Sequence, residues 1–333
     1  MNCPRLPYLR EPMRVLTEGG HLTTAIVAPE NGGTGRLVRN WLIHSVMQDP
    51  ADMLVYGPTE AMVRAYVKAE IEPAIDARPE MAVTRRAGRA ARDLEFKDFG
   101  RMWAQFLPAT YNNLINKSAS RIAIGGLDAC DRRCGDPYAL ADLHRQAFGR
   151  RSMLLVESHP TLGAGLSLAY GVAGIMRIYA ESDQRLWHWP CPHCNGFWAP
   201  YPIHDRKVLL DWPYNAPLDE IRDAAFMICP LCHDRIDEKW RDAMNAEGVW
   251  VKAGQRIHSS GLVDGTPIHS ETAGFWISGL MSPLIPGGIG ALACAIAQAS
   301  RTTNDAFAYG KLRDIFTRKF GWPANGDLES VYV

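Results

Sequence analysis

Short apolar runs alternate with helical periods through the first half of the chain. "LTTAIV" (22–27) reads as a strand and "RLVRNWLIHSVMQ" (36–48) as a helix. "DMLVYG" (52–57) reads as the next strand, and "TEAMVRAYVKAEIEPAI" (59–75) as a helix. "RIAIGG" (121–126) and "SMLLVE" (152–157) read as two further strands, with the helix "YALADLHRQAFG" (138–149) between them. Apolar runs of strand length separated by helices predict an α/β fold, a mainly parallel sheet flanked by helices.

After about residue 183 the pattern changes. "RLWHWPCPHCNGFWAPYP" and "AAFMICPLCHDRI" are rich in aromatics, Pro and Cys, which suits short hairpins. Beyond residue 271 come "ETAGFWISGLMSP", a Gly/Pro-rich bend and two helical runs, 289–301 and 304–319. No internal repeat or low-complexity tract is present.

Composition narrows the picture only a little. Lys+Arg and Asp+Glu both total 36 in 333 residues, so the formal net charge is zero. That excludes a strongly basic nucleic-acid binder but not a local basic groove. No run reaches the ~18 apolar residues of a membrane span. "MNCPRLPYLREPMRV" lacks an apolar signal core, so a cytoplasmic location is expected. In that compartment the eight cysteines read as metal ligands or reduced thiols.

Four of them carry the strongest chemical signal. Cys191-x₂-Cys194 and Cys229-x₂-Cys232 form two turns, each able to aim two thiolates at one tetrahedral zinc. Pro192 and Pro230 suit tight knuckle turns. Four sulfurs leave no open position, so this predicts a structural zinc ribbon. His193 and His233 are alternative ligands, but their places in the knuckles point them outward. Cys3, Cys130, Cys134 and Cys294 lack such spacing and read as plain thiols.

The second signal is "APENGGTG" (28–35), between a strand and a helix, where a phosphate-binding loop belongs. Such a loop needs glycines for close backbone approach, Lys on the β/γ-phosphates and Ser/Thr on magnesium. Here Ala28 and Gly33 match, but Thr34 stands where Lys belongs and Gly35 where Ser/Thr belongs. A Gly-rich turn of an unrelated α/β fold fits the generic motif as well.

A longer series of segments bears on that choice. "PYLREPM" (7–13), the strand–loop–helix of 22–50, "YGPTEAM" (56–62), "GDPYALADLHRQAFGRR" (135–151) and "ESHPTLGAGLS" (157–167) follow one another. They continue into "YAESDQRLWHWPCPHC" (179–194), "CPLC" (229–232), "GVW" (248–250), "GFWISGLMSP" (274–283) and "LRDIFTRKFGWP" (312–323). In this order they resemble the lambda-type phage terminase large subunit, the ATPase and nuclease that packs DNA into tailed-phage heads. The most specific piece is "SDQR" leading through an aromatic strand into "CPHC".

The resemblance implies a P-loop NTPase (RecA/ASCE-like) core with an inserted zinc ribbon. It implies a terminase ATPase-like core over 1–183, the zinc ribbon over 184–250, the C-terminal part of the ATPase module over 251–323 and a tail over 324–333. It places Ala28, Asn31, Gly32, Gly33, Thr34, Gly35 and Arg36 at ATP and Mg²⁺. It also fixes the register, because Asn40, Asp49 and Pro50 match the family without a gap. A shift of two would put Arg36 in the lysine slot but breaks that match.

The family's second nucleotide motif ends an apolar strand in Asp-Glu, for magnesium and the attacking water. In "RIAIGGLDACDR" (121–132) one register puts Gly125 and Gly126 there, with Asp128 following; the other keeps Asp128 but places Ala129 at the glutamate. Neither leaves a glutamate in that motif. Each lost preorganised charge costs about 10² to 10³ in rate, so hydrolysis is expected to be weak. Ser158 and Thr161 resemble the family turn that couples nucleotide to DNA movement; a helix cap is the plainer reading of Ser158.

"TRRAGRAARD" (84–93) puts Arg85, Arg89 and Arg92 on one helical face. A solvated face, a DNA-backbone contact and an arginine finger are all readings of it. The chain stops soon after "FGWP", where the family's nuclease domain begins, so cleavage is expected from a separate nuclease chain, if at all. The implied partners are double-stranded DNA, a small terminase subunit and a portal. A non-catalytic DNA-binding or assembly scaffold of the same descent is the alternative, and a zinc-ribbon nucleic-acid binder unrelated to phage fits the cysteines but not the motif order.

Overall fold

The strands read from the sequence meet in one sheet. A computed structural model describes residues 6–84, 95–162, 173–201, 209–302 and 305–323. Its larger sheet contains β1 (Thr23–Val27), β2 (Met53–Gly57), β3 (Phe96–Asp98), β4 (Trp103–Pro108), β5 (Arg121–Gly125), β6 (Met153–Ser158) and β7 (Arg185–Pro190). The short β8 (Phe197–Trp198) pairs with β7. β9 (Leu210–Asp211), β10 (Phe226–Ile228) and β11 (Arg235–Ile236) make a separate small sheet. β12 (Val249–Val251) returns to the large sheet, β13 (Gln255–Ile257) and β14 (Val263–Gly265) form a hairpin, and β15 (Thr272–Trp276) returns to the large sheet again.

The order across the large sheet is β12-β7-β15-β1-β6-β5-β2-β4-β3. From β7 to β4 every pair is parallel, and β12 and β3 close the two edges antiparallel. The central strands carry apolar side chains on both faces because helices cover both. All five residues of β1 are buried. The edge-side β7 alternates buried and half-buried positions instead.

Three helices hold the loop end of this sheet: α1 (Arg10–Glu18), α2 (Thr34–Met47) and α3 (Glu60–Tyr66). Along α2, Leu37, Val38, Trp41, Leu42 and Val46 fall on one buried stripe, the 3.6-residue period at work. Thr59 caps α3, its hydroxyl accepting the Met62 N–H. The expected helix over 59–75 does form, but with a wide π turn at Val67–Ile71. Pro73 follows two residues on; a proline ring clashes with the carbonyl four residues back, and the wider turn relieves that clash.

Two features of the sheet go beyond the sequence reading. The hairpin β3–β4 turns through Asp98, whose carboxylate accepts the Gly100 N–H at 2.8 Å. Lys97 on this edge strand is fully buried and pairs with Glu72 at 2.9 Å. The other is β15, which inserts between β7 and β1 although the chain reaches it last.

The "SDQR" stretch proves to be a buried ion network. Arg185 grips the Asp183 carboxylate with Nε at 2.9 Å and Nη2 at 2.7 Å, and its Nη1 reaches Glu11 at 2.6 Å. Its guanidinium also lies 4.6 Å from the Phe275 ring centroid. Asp183 further accepts the Gly274 N–H of β15 at 2.9 Å. Burial alone would raise this carboxyl, but the bonds from His21, Arg185 and Gly274 outweigh it and bring it down to about 2. The network ties β7 to β15 and to α1, so the motif fixes the sheet where the cysteine-bearing segment leaves it.

Candidate functional site

The loop after β1 forms a turned cradle at the start of α2. Asn31 and Gly33 both take positive φ, 62° and 90°, which turns the chain back on itself before α2 begins at Thr34. A side chain at Gly33 would be strained at that φ and would also press on Leu6 and Leu9. The first N–H groups of a helix have no intrahelical acceptor and face whatever lies ahead of the axis. Ahead of α2 is a cleft of about 590 Å³ lined by residues 29–36 together with Glu70, Glu157, His159 and Leu284.

Neighbours clamp the loop from outside. Ser282 Oγ donates to the Asn31 carbonyl at 2.6 Å, and Tyr66 Oη to the Gly35 carbonyl at 2.7 Å. The Glu30 N–H donates to the Arg318 carbonyl, and the two side chains form an ion pair at 3.0 Å. The cradle is therefore shaped by packing and backbone bonds, none of which needs a lysine.

At the lysine position, Thr34 donates its hydroxyl to Glu157 Oε2 at 2.9 Å. Glu157 lies near the end of β6, directly beside Gly125 of β5. Its other oxygen accepts the Gly126 N–H at 3.2 Å. The remaining acids of the cleft have cations of their own, Glu30 with Arg318 and Glu70 with Arg39 at 2.8 Å. Among the described residues Glu157 makes no ion pair. Arg36 lines the cleft but is solvent-exposed.

The structure places the other predicted residues as follows. Ala28 closes β1, its N–H donating to the Ser158 carbonyl at 3.1 Å. Gly125 and Gly126 end β5, close to the cleft. Asp128 does not line it. Its carboxylate is buried and accepts the N–H groups of Leu162 at 3.0 Å and Ile175 at 2.8 Å, which anchors the start of the helix Gly174–Ala180. Burial raises the Asp128 carboxyl and these N–H groups oppose the rise. Ser158 is buried and, among the described residues, starts no helix of its own; its Oγ accepts the Asp128 N–H at 3.0 Å and joins the end of β6 to the short 3-10 turn Leu127–Ala129 after β5. Thr161 offers its carbonyl to Arg313 at 3.0 Å. Arg85, Arg89 and Arg92 lie outside the described residues, as do Cys3 and the tail 324–333.

Glu157 is the residue that motif reading passed over. The available signal was a lone acid ending an apolar strand in "MLLVES". Its meaning depends on β6 lying between β1 and β5, which only the fold reveals.

The second constellation is the cysteine set. Cys191 and Cys194 lie between β7 and β8, and Cys229 and Cys232 between β10 and β11. The two turns repeat each other. Asn195 N–H donates to the Cys191 carbonyl at 3.0 Å and His233 N–H to the Cys229 carbonyl at 2.9 Å. Asn195 and His233 both take positive φ, 58° and 62°. The N–H groups of His193 and Leu231 donate to the Sγ of Cys191 and Cys229, each at 3.4 Å.

The four Sγ atoms lie within 4.8 Å of one another. Zinc–sulfur bonds of about 2.3 Å in a tetrahedron require sulfurs about 3.8 Å apart. Cys191 and Cys232 Sγ stand 3.8 Å apart, so the donor set fits such an ion. His193 turns away and bonds the Arg235 carbonyl at 3.0 Å. Cys130, Cys134 and Cys294 are buried and belong to no metal cluster among the described residues. Burial pushes the Cys130 thiol up to about 12, so it is inert as a thiolate.

Comparison with known proteins decides the family. The sequence pattern described as "Phage terminase large subunit gpA, ATPase domain" matches residues 1–250. The chain belongs to this terminase family. Among solved structures, a point mutant of the Thermus phage P74-26 large terminase ATPase domain is similar at 8% identity, covering 94% of this chain and 92% of that one, with a TM-score of 0.45. The unmutated domain of the same phage gives 8% identity, 90% and 91% coverage and a TM-score of 0.40. The HK97 bacteriophage large terminase gives 12% identity and a TM-score of 0.37, covering 49% of this chain and spanning only a third (33%) of the HK97 chain. No curated protein matches. In this terminase-family chain no helix among the described residues is long and apolar enough to cross a membrane.

Proposed function

We propose that the chain is the ATPase module of a phage DNA-packaging motor, in which nucleotide binding and slow hydrolysis drive movement of double-stranded DNA. A small terminase subunit and a portal are its partners in this reading, by membership of the family. The observation that carries it is the cradle ahead of α2, which keeps its left-handed turn and outer clamps while Thr34 and Glu157 stand where a lysine would meet phosphate. Backbone N–H groups and the α2 N-terminus do most of the holding. On the loop, Thr34 would offer an accompanying Mg²⁺ the hydroxyl that Gly35 lacks.

The absence of a lysine favours weak binding and slow turnover over none, because backbone contacts survive its loss. One experiment tests this directly. ATP affinity and turnover are measured, with and without duplex DNA, for the natural chain and for Thr34→Lys with Gly35→Thr. The double substitution is expected to tighten ATP binding by about tenfold, the equivalent of one charge-assisted hydrogen bond. Unchanged affinity would mean that the loop no longer addresses phosphate. DNA binding by the natural chain with no ATP binding at all would favour the non-catalytic scaffold.

A further inference from the structure

We propose that Glu157, at the end of β6 beside the glycines that follow β5, is the catalytic carboxylate of this nucleotide site. The inference rests on the nucleotide reading above and deepens it.

Three observations carry it. First, β5 and β6 are parallel neighbours with Gly125 and Glu157 in register, so a side chain from either position enters the same space above the strand ends. Second, the carboxylate fills the space beside the glycines at the end of β5. A Cβ built on Gly125 would lie 3.1 Å from Glu157 Oε1, so a side chain there would press the carboxylate aside, and one on Gly126, at φ +65°, would lie 2.9 Å from Pro58 Cγ. Third, the carboxylate is held by the two positions that flank the reacting end of the site, Thr34 on the loop and Gly126 after β5. It is half-buried and lines the cleft, whereas Asp128 is fully engaged elsewhere.

The chemistry this position supports is hydrolysis of the terminal anhydride of ATP. A water oxygen bonds to the γ-phosphorus while the bond from that phosphorus to the β–γ bridging oxygen breaks, and ADP leaves with the bridging oxygen. The water proton passes to the Glu157 carboxylate and from there to phosphate or solvent, restoring the carboxylate. Thr34 and the Gly126 N–H fix the carboxylate so that it meets the water without rearranging.

The test uses the purified 333-residue chain, MgATP for turnover and a non-hydrolysable ATP analogue for binding, with zinc content and melting temperature as checks of folding. Glu157→Gln keeps shape and removes the base. It is expected to lower turnover by about 10²-fold or more while analogue affinity stays equal or rises. Glu157→Asp, which keeps the charge but draws it back, is expected to fall between the two, and it carries the test if the glutamine variant does not fold. Equal turnover in Glu157→Gln, or faster turnover, would overturn the proposal and leave the nucleotide reading standing; faster turnover would mean that the carboxylate obstructs phosphate. Analogue binding without any turnover in the natural chain would overturn it in the same way. No analogue binding by the natural chain would remove the nucleotide reading, and this proposal with it.

Discussion

The cysteine knuckles and the cradle ahead of α2 are built on opposite plans. The knuckles bring four sulfurs together, with a left-handed residue after the last cysteine of each pair. The cradle presents a turned backbone, with the uncharged Thr34 and Gly35 at the start of the helix. The difference lies in what holds each one up. A tetrathiolate turn has little core of its own, so ligand chemistry and folding energy are the same thing there. The cradle rests on the buried Leu6 and Leu9 and the half-buried Tyr66, so its fold does not depend on the side chains that face the cleft.

The sharpest way to break this contrast is to remove a sulfur. Cys229→Ser is expected to abolish metal retention and unfold the segment bearing the knuckles, a loss on the order of several kcal/mol since structural zinc supplies ~10 kcal/mol or more. Chelation of the natural chain should do the same, read by limited proteolysis between residues 190 and 240. If both the substitution and chelation leave that segment protected, the knuckles are not held by metal.

A smaller effect is expected where the two regions are joined. Asp183→Asn leaves the buried Arg185 with Glu11 as its one remaining carboxylate partner among the described residues, at a cost of about 3 kcal/mol in urea unfolding. The pH dependence has a definite sign. The Asp183 carboxyl is held down to about 2 in the folded chain, below the ordinary value of 3.8. Its contribution is therefore complete above pH ~4 and fades as pH falls through about 2, by roughly 2 kcal/mol. The stability difference between the natural chain and the Asn variant should shrink over that window; a constant difference would show that the charge is not what matters.

The smallest effect belongs to His193. It bonds the Arg235 carbonyl from an exposed position, so His193→Ala should cost no more than about 1 kcal/mol and leave metal content unchanged. Loss of metal in that variant would make the histidine a ligand after all.

Legibility in the sequence followed the same division. The cysteine cluster was readable because each Cys-x₂-Cys turn is a local pattern, written within four residues. Strands β1, β2, β5 and β6 were readable because a strand covered on both faces is an unbroken apolar run. The hairpin β3–β4 was not, since its edge strand hides a charge, Lys97, whose partner Glu72 lies on a distant helix. "SDQR" was legible as a signature but silent as physics until Glu11, Phe275 and Gly274 were seen around it. Glu157 was illegible as part of the site for one reason: nothing in a linear string says that "VES" will stand beside "IGG".

The late insertion of β15 has a consequence for how the molecule is made. Until residues 272–276 leave the ribosome, β1 has a partner only on its β6 side, and its other flank of backbone amides and carbonyls stays open in an unfinished chain. The segment bearing the cysteines is synthesised in that interval, before β15 can close the sheet. Birth order would then set assembly order, with the cradle sealed last.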